Sequence, residues 1–405
     1  MKKVIKIITY IATVSIMLCA CTSSQGIKEE KEEREKLILW SYYETDAQTR
    51  ALDQLINGFN QSQEQYEFSW EYVPMTDFTR RLSIAYTEES LPDLALIDSP
   101  DMSTCIKMGM FEDITPYLSV ENIDMGDYYP VVMETATNAG KIYGMPACCN
   151  NLALIYNKEM LEEEDIVPPV TWSEFRYAAE RLTTEDRSGF MMSGIDGEQG
   201  AFQMLAWLLA SGEEPDTIGS EATLEVVKFL DDLTEKGWMS ENCINLSQTD
   251  VARCFVNGET AMMENGPWVF PMLREAGMDF GAVPLPTDTG QRQMTVAGGE
   301  NFGVLKGKNT EGAVAFLKYY NQEKVMQRFC ELSCSIPPRE SVSLSAGEAP
   351  EQMNVFKMQM NHALIRTEIR GWHRYSENLS KIMFWLVSDE CTPEQAVERL
   401  NENIS

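Results

Sequence analysis

The sequence predicts an α/β protein, and three observations carry that class. Short apolar stretches alternate with longer stretches of helical period in a βαβαβ rhythm, which calls for a parallel or mixed sheet covered by helices. About 370 residues follow a polar stretch near the start, more than one core ordinarily serves, so two lobes are expected. Prolines and capping pairs stand where the helical periods begin.

Taken in order, "LILWSY" at 37–42 reads as a buried strand, and the next segment places Leu52, Leu55, Ile56 and Phe59 at helical spacing. "YEFSWEYV" alternates as a half-buried strand, "DFTRRLSIAY" returns to helix and "PDLALID" to strand. "GKIYGMPACCNNLALIYNKEML" predicts a hairpin, a strand and a helix. Thr171 and Glu174 have capping-box spacing ahead of the next helix. Helices are expected over 198–211, 220–236 and 250–257. The strand "TAMME" runs into a Gly-Pro corner, with Pro267 suited to a first helical position. "DFGAVPLP" is extended, "GENFGVLKG" is a strand, and helices cover 310–333 up to a break at Pro337-Pro338. Three helical patterns fill the tail, the last opening at Thr392-Pro393.

The chain begins with a basic segment, Lys2, Lys3 and Lys6, and an apolar run from Ile7 to Ala20 that is short for a membrane span. Leu18-Cys19-Ala20-Cys21 resembles the lipobox of bacterial lipoproteins, with Cys19 an uncommon but small residue at its position. Residues 1–20 are therefore read as a lipoprotein signal peptide and Cys21 as the lipidated N-terminus; an ordinary cleaved signal is the alternative. The rest of the stretch 21–36 is polar, without an apolar stripe, and reads as a tether. This predicts a protein anchored by lipid on the outer face of the cell membrane.

The formal net charge is −30, and loss of the three lysines carries it to −33. Such a charge excludes nucleic acid as a partner, which requires basic patches. Eight of the ten cysteines follow Cys21 without the spacing of a disulfide framework, so mostly free thiols are expected. Only His362 and His373 are available as imidazoles, against a zinc or manganese site. No G-x-S-x-G, Walker loop, H-E-x-x-H or G-x-G-x-x-G occurs, so no catalytic group, cofactor or metal is expected.

The ordered segments "FNQSQEQYEFSWEYVP", "PDLALID", "GKIYGMP", "LALIYNKEML", "PPVTWSEFRYAAERLT", "FVNGETAMMENGPWVFPML", "FGAVPLP" and "GGENFGVLKGKNTEGAVAFLKYY" resemble the extracellular solute-binding proteins of ABC importers, the carbohydrate-binding group typified by maltodextrin-binding protein. The resemblance spans about residues 37–405 and rests on the set, since no single motif decides it. It implies two lobes joined by crossing strands, a hinge and ligand in the cleft between them. The first lobe would take 37–150 and 285–335, the second 151–284 and 336–405, with crossings near Asn150-Asn151, Ala282–Pro284 and Pro337-Pro338. It further implies a monomer that captures a sugar or oligosaccharide and docks on the transmembrane subunits of an ABC permease.

By the same resemblance, Trp268 in the corner "ENGPWVF" stacks on a sugar ring, flanked by Glu264 and Asn265; the alternative is a tryptophan plugging its own lobe. An aromatic plane suits the C–H face of a pyranose, and planar polar groups suit its hydroxyl rim. Asn150 stands where maltodextrin-binding protein has an acidic group, so a different sugar is implied. Strand ends in open α/β sheets face the crevice, which brings forward Tyr42, Tyr43 and Asp98, with Trp40 assigned to the core. Gly299 and Glu300 lie beside a crossing, and Trp372 and Tyr375 where the closing lobe offers aromatics. Arg370 and His373 are neighbours only, and Met191, Met192 and Trp207 are assigned to the core. Two rivals remain: an exported enzyme such as a glycosidase or a purely structural lipoprotein, and a binding protein for a cationic or peptide ligand.

Overall fold

A computed structural model describes residues 33–291, 294–344, 351–369 and 371–402. The signal peptide 1–20, Cys21, nearly all of the tether and Arg370 lie outside the described residues. The chain divides into Met1–Glu35 and a folded body, Lys36–Ser405.

Thirteen strands occur among the described residues. In chain order they are β1 (Glu35–Ser41), β2 (Tyr66–Tyr72), β3 (Leu94–Asp98), β4 (Thr137–Asn138), β5 (Lys141–Ile142), β6 (Gly144–Pro146), β7 (Ala153–Asn157), β8 (Ser188–Met191), β9 (Thr260–Asn265), β10 (Phe280–Val283), β11 (Thr295–Ala297), β12 (Glu300–Val304) and β13 (Ala363–Ile365). Five build a sheet in the order β2-β1-β3-β12-β6, and four build a second in the order β10-β7-β9-β8. Both sheets are mixed. β1 runs parallel to β3 while β12 is antiparallel to β3 and β6. β8 is parallel to β9, with β7 antiparallel to β9 and β10.

Each sheet has its own core. The first gathers Leu37, Leu39, Phe59, Phe68, Phe302, Phe316 and Tyr320, and the second Phe175, Phe190, Trp207, Phe229 and Leu379. The helix Asp46–Ser62 buries Leu52, Leu55, Ile56 and Phe59 at the expected spacing and starts on a capping box, Thr45 with Gln48. Thr171 and Glu174 form the capping box expected of them. Among the described residues the tail holds four α-helices where three were expected, Met353–Gln359, Trp372–Leu379, Ile382–Val387 and Pro393–Glu402; the first three are short, and 3-10 turns lie between the first two.

The chain passes between the two sheets at Ala147–Leu152, where it leaves β6 for β7. It returns at Gly298-Gly299 and passes a third time after Ile336, which pairs with Cys149. The return is later than the expected 282–284. Leu285 and Val296 lie in the second core and Thr287 N donates to Val170 O, so residues 285–291 and 294–297 belong to the second sheet's side. Extended sequence alone did not reveal which core that stretch would join.

Candidate ligand cleft

The ends of β1 and β3 and the start of β12 meet on one edge of the first sheet, because β12 is antiparallel and places Glu300 opposite Asp98. The second sheet delivers the end of β9 and the corner after it to the same place. Between them lies a cleft lined from both sides.

On the first-sheet side the groups are largely bonded to one another. Tyr42 Oη donates to Glu300 Oε1 at 3.0 Å, Cys148 Sγ to Glu300 Oε2 at 2.8 Å, and Tyr43 Oη to the same oxygen at 3.4 Å. Burial raises the Glu300 carboxyl above its usual range and Asp98 adds to the effect, while the three donors oppose it. Gly299 has φ +139°, and a Cβ there would stand 2.1 Å from Cys148 O. The glycine is thus required where the returning chain lies against the outgoing one.

Arg366, just past β13, is buried among carboxylates. Its Nη1 and Nη2 donate to Asp98 at 3.0 and 2.8 Å, and Nη1 also reaches Glu198 Oε1 at 2.6 Å. Asp98 caps the helix Ser99–Lys107 as well, accepting from Ser99 N at 3.0 Å. Burial works against the Arg366 charge, but Asp98 and Glu198 outweigh it and hold the guanidinium above its usual range. The guanidinium also covers the Phe202 ring at 4.6 Å. Trp372 Nε1 donates to Glu198 Oε1 at 2.9 Å and so steadies the far end of the network.

On the second-sheet side Trp268 is half-buried and lines the cleft. Its ring folds back over Gly266, where a Cβ would lie 1.9 Å from Cζ3, so the corner needs glycine for the indole to occupy its place. Gln199, Gln248 and Thr249 complete this wall. Gln199 Oε1 accepts from Gln248 N at 3.1 Å, and across the mouth Thr249 Oγ1 donates to Glu44 Oε1 at 3.1 Å.

Of the residues singled out in the sequence, Tyr42, Tyr43, Asp98, Asn150, Trp268 and Glu300 come together on this lining. Gly299 lies just behind, its carbonyl accepting from Ser99 N and Oγ. Four others do not reach the lining. Glu264 and Asn265 are fully buried because β9 is an inner strand of the second sheet, between β7 and β8. Glu264 accepts from Trp207 Nε1 at 3.0 Å, and burial raises its carboxyl well above the usual range. Asn265 Nδ2 donates to Gln248 O at 2.8 Å and so holds the wall instead of forming it. Tyr375 Oη donates to Ile218 O at 2.6 Å, and Trp372 stands behind Glu198. Trp40, Met191, Met192 and Trp207 are buried.

Sequence reasoning missed Glu44, Gln48, Cys148, Glu198, Gln199, Phe202, Gln248, Thr249 and Arg366 among the lining residues. Glu198, Gln199 and Phe202 open a helix that was expected, so their placement at a helix start was the available signal. Arg366 carried none. Its partners are 268 and 168 residues away in the chain. Among the described residues no group of three or more His, Cys, Asp and Glu could hold a metal ion, and no helix is long and apolar enough to cross a membrane.

Two α/β lobes, three chain passages and a polar cleft with an aromatic wall define a hinged binding protein. Residues 54–354 match the family of bacterial extracellular solute-binding proteins, and the chain belongs to that family. It is 28% identical to the maltodextrin-binding protein MdxE of Bacillus subtilis over 55% of this chain and 56% of that one, so the match spans little more than half the length of that relative. It is 22% identical to a multiple sugar-binding protein of Streptococcus mutans over 82% of each chain. An ABC transporter solute-binding protein of Thermotoga lettingae, solved with α-D-tagatose bound, superimposes with a TM-score of 0.81 at 23% identity, covering 91% of this chain and 98% of that one. The family and these neighbours are binding proteins.

Proposed function

We propose that this chain is the sugar-capturing subunit of an ABC importer, held on the outer face of the membrane through acylated Cys21 and delivering its ligand to the permease. The observation that carries the reading is Trp268, a half-buried indole presented to a polar cleft that both lobes line. An aromatic plane covers the C–H face of a sugar at low cost in conformational entropy. Asn150, Gln48, Gln199, Gln248 and Thr249 offer amides and a hydroxyl that suit a hydroxyl rim. The relatives' names, a maltodextrin-binding and a multiple sugar-binding protein, support the same class. The ligand-contact role extends to Tyr42, Tyr43 and Glu300 as one cluster, whereas Asp98, Glu264, Asn265, Gly299, Trp372 and Tyr375 act by holding the lining in place.

The protein catalyses nothing on this reading; it acts as a monomer whose lobes close on the ligand because the ligand contacts both. Calorimetric titration of the purified domain with a panel of oligosaccharides tests the proposal. One or more should bind, remain intact on long incubation, and reduce the radius of gyration in solution scattering. Steady product release would place a glycosidase ahead, and an unchanged scattering curve at saturation would remove the hinge. Attachment is tested separately by Cys21→Ala, which should abolish incorporation of labelled lipid.

A further inference from the structure

We infer that the cleft sorts saccharides by charge, taking uncharged and positively charged sugars and rejecting those that carry a carboxylate or a phosphate. This rests on the saccharide reading of the site. Four carboxylates line the cleft, Glu44, Asp98, Glu198 and Glu300, and among the described residues of that lining Arg366 is the one basic side chain. Its Nη1 and Nη2 are spent on Asp98 and Glu198 at 2.6–3.0 Å, and its Nε is buried. No edge of the guanidinium fork therefore faces an incoming anion, although such a fork is the usual means of holding one. Two carboxylates face this one guanidinium, so the formal charge of the cluster is negative.

Helix N-termini are the other common anion sites, and here each one at the cleft is guarded by acid. Glu198 is the first residue of the helix Glu198–Ala210, Asp46 opens the helix Asp46–Ser62 just behind Glu44, and Asp250 lies in the first turn of Gln248–Val256. Glu44 is exposed at the mouth and meets any ligand on its way in. At the floor, burial holds Glu300 towards its neutral form. A cation beside it would restore its charge and gain an ion pair, whereas an anion would meet neutral amides and hydroxyls but no free cationic group on the lining. The overall charge of −30 adds a long-range field of the same sign.

The test uses matched sets: maltotriose, cellotriose and chitotriose, each beside the same sugar oxidised at its reducing end to a carboxylate and the same sugar aminated there. Titration calorimetry is run at low and at high salt. Where a parent sugar binds, its acid should bind about tenfold more weakly or worse, and its amine as tightly or more tightly. Salt should narrow the gap, since Glu44 acts through solvent. Glu44→Gln, a change at an exposed position, should narrow it several-fold without salt. An acid that binds as well as its parent, or a set in which the acid alone binds, overturns the inference while leaving the saccharide reading intact. If no neutral, acidic or aminated member of any set binds, the saccharide reading fails and the charge rule falls with it.

Discussion

The two walls of the cleft use similar residues for opposite ends. On the first-sheet side, Tyr42, Tyr43, Cys148 and Glu300 satisfy one another, and Asp98 is spent on Arg366 and on a helix cap. On the second-sheet side Trp268 is half-exposed, and behind it an equally large indole, Trp207, is fully buried with its N–H on Glu264. The polar groups of the first wall are paired with one another, whereas the second wall presents an indole that is only partly buried. A side chain's type therefore says little about its role in this cleft. Its remaining unpaired capacity decides, and that depends on neighbours distant in the chain.

The comparison breaks most readily at Arg366. Arg366→Ala leaves Asp98 and Glu198 buried without their counter-charge and should cost roughly 3–5 kcal/mol of folding stability, measured by urea denaturation. A loss under about 1 kcal/mol would show that the first wall does not depend on internal pairing. Trp268→Ala addresses the other wall. Affinity for the bound sugar should fall by roughly 2–4 kcal/mol, about thirtyfold to a thousandfold. Stability of the empty protein should drop by only about 1–2 kcal/mol, because the ring is half-buried against the second core. Trp207→Ala should show the reverse balance, roughly 3–5 kcal/mol of stability lost, so the pair of mutants separates stacking platform from core plug.

A smaller effect concerns Asp101, beside the Arg366 network. Burial first, then the charges of Asp98 and Glu198, raises its carboxyl from 3.8 to about 7. The folded state thus binds a proton more tightly than the unfolded one, and stability falls as pH rises from about 4 to about 7. Asp101→Asn should flatten that part of the stability–pH curve, with a difference on the order of 1–3 kcal/mol at pH 7 in favour of the variant. Parallel curves for the two proteins would show that Asp101 is ionised throughout. The smallest effect is expected at Glu264. Burial raises its carboxyl well above the usual range, and glutamine keeps its shape and an acceptor for Trp207 without a charge. Glu264→Gln should change stability at pH 7 by less than about 1 kcal/mol, whereas Glu264→Ala should expose the loss of its bond from Trp207 as roughly 1–3 kcal/mol.

Local chemistry made much of this protein legible before any packing was known. The strand at 37–42, the apolar stripe of Leu52, Leu55, Ile56 and Phe59, the capping box at Thr171 and the Gly-Pro corner all follow from interactions within a few residues of each other. The nearness of Tyr42 and Asp98 to a crevice was readable from the rule that strand ends in open α/β sheets face it, and that of Trp268 from the family resemblance. What the chain order could not determine was the direction and partner of each side chain. Glu264 and Trp268 are four residues apart, yet one is sealed within the sheet and the other lines the cleft. Asp98 ends a strand as expected but is claimed by an arginine 268 residues later. Residues 285–291 and 294–297 could join either lobe by chain order, and only contact with Val170 and the second core assigns them. Secondary structure rests on short-range sterics and hydrogen bonds that a sequence displays, whereas burial, ion pairing and the free faces of a binding site arise from contacts between segments that meet only when the chain has folded.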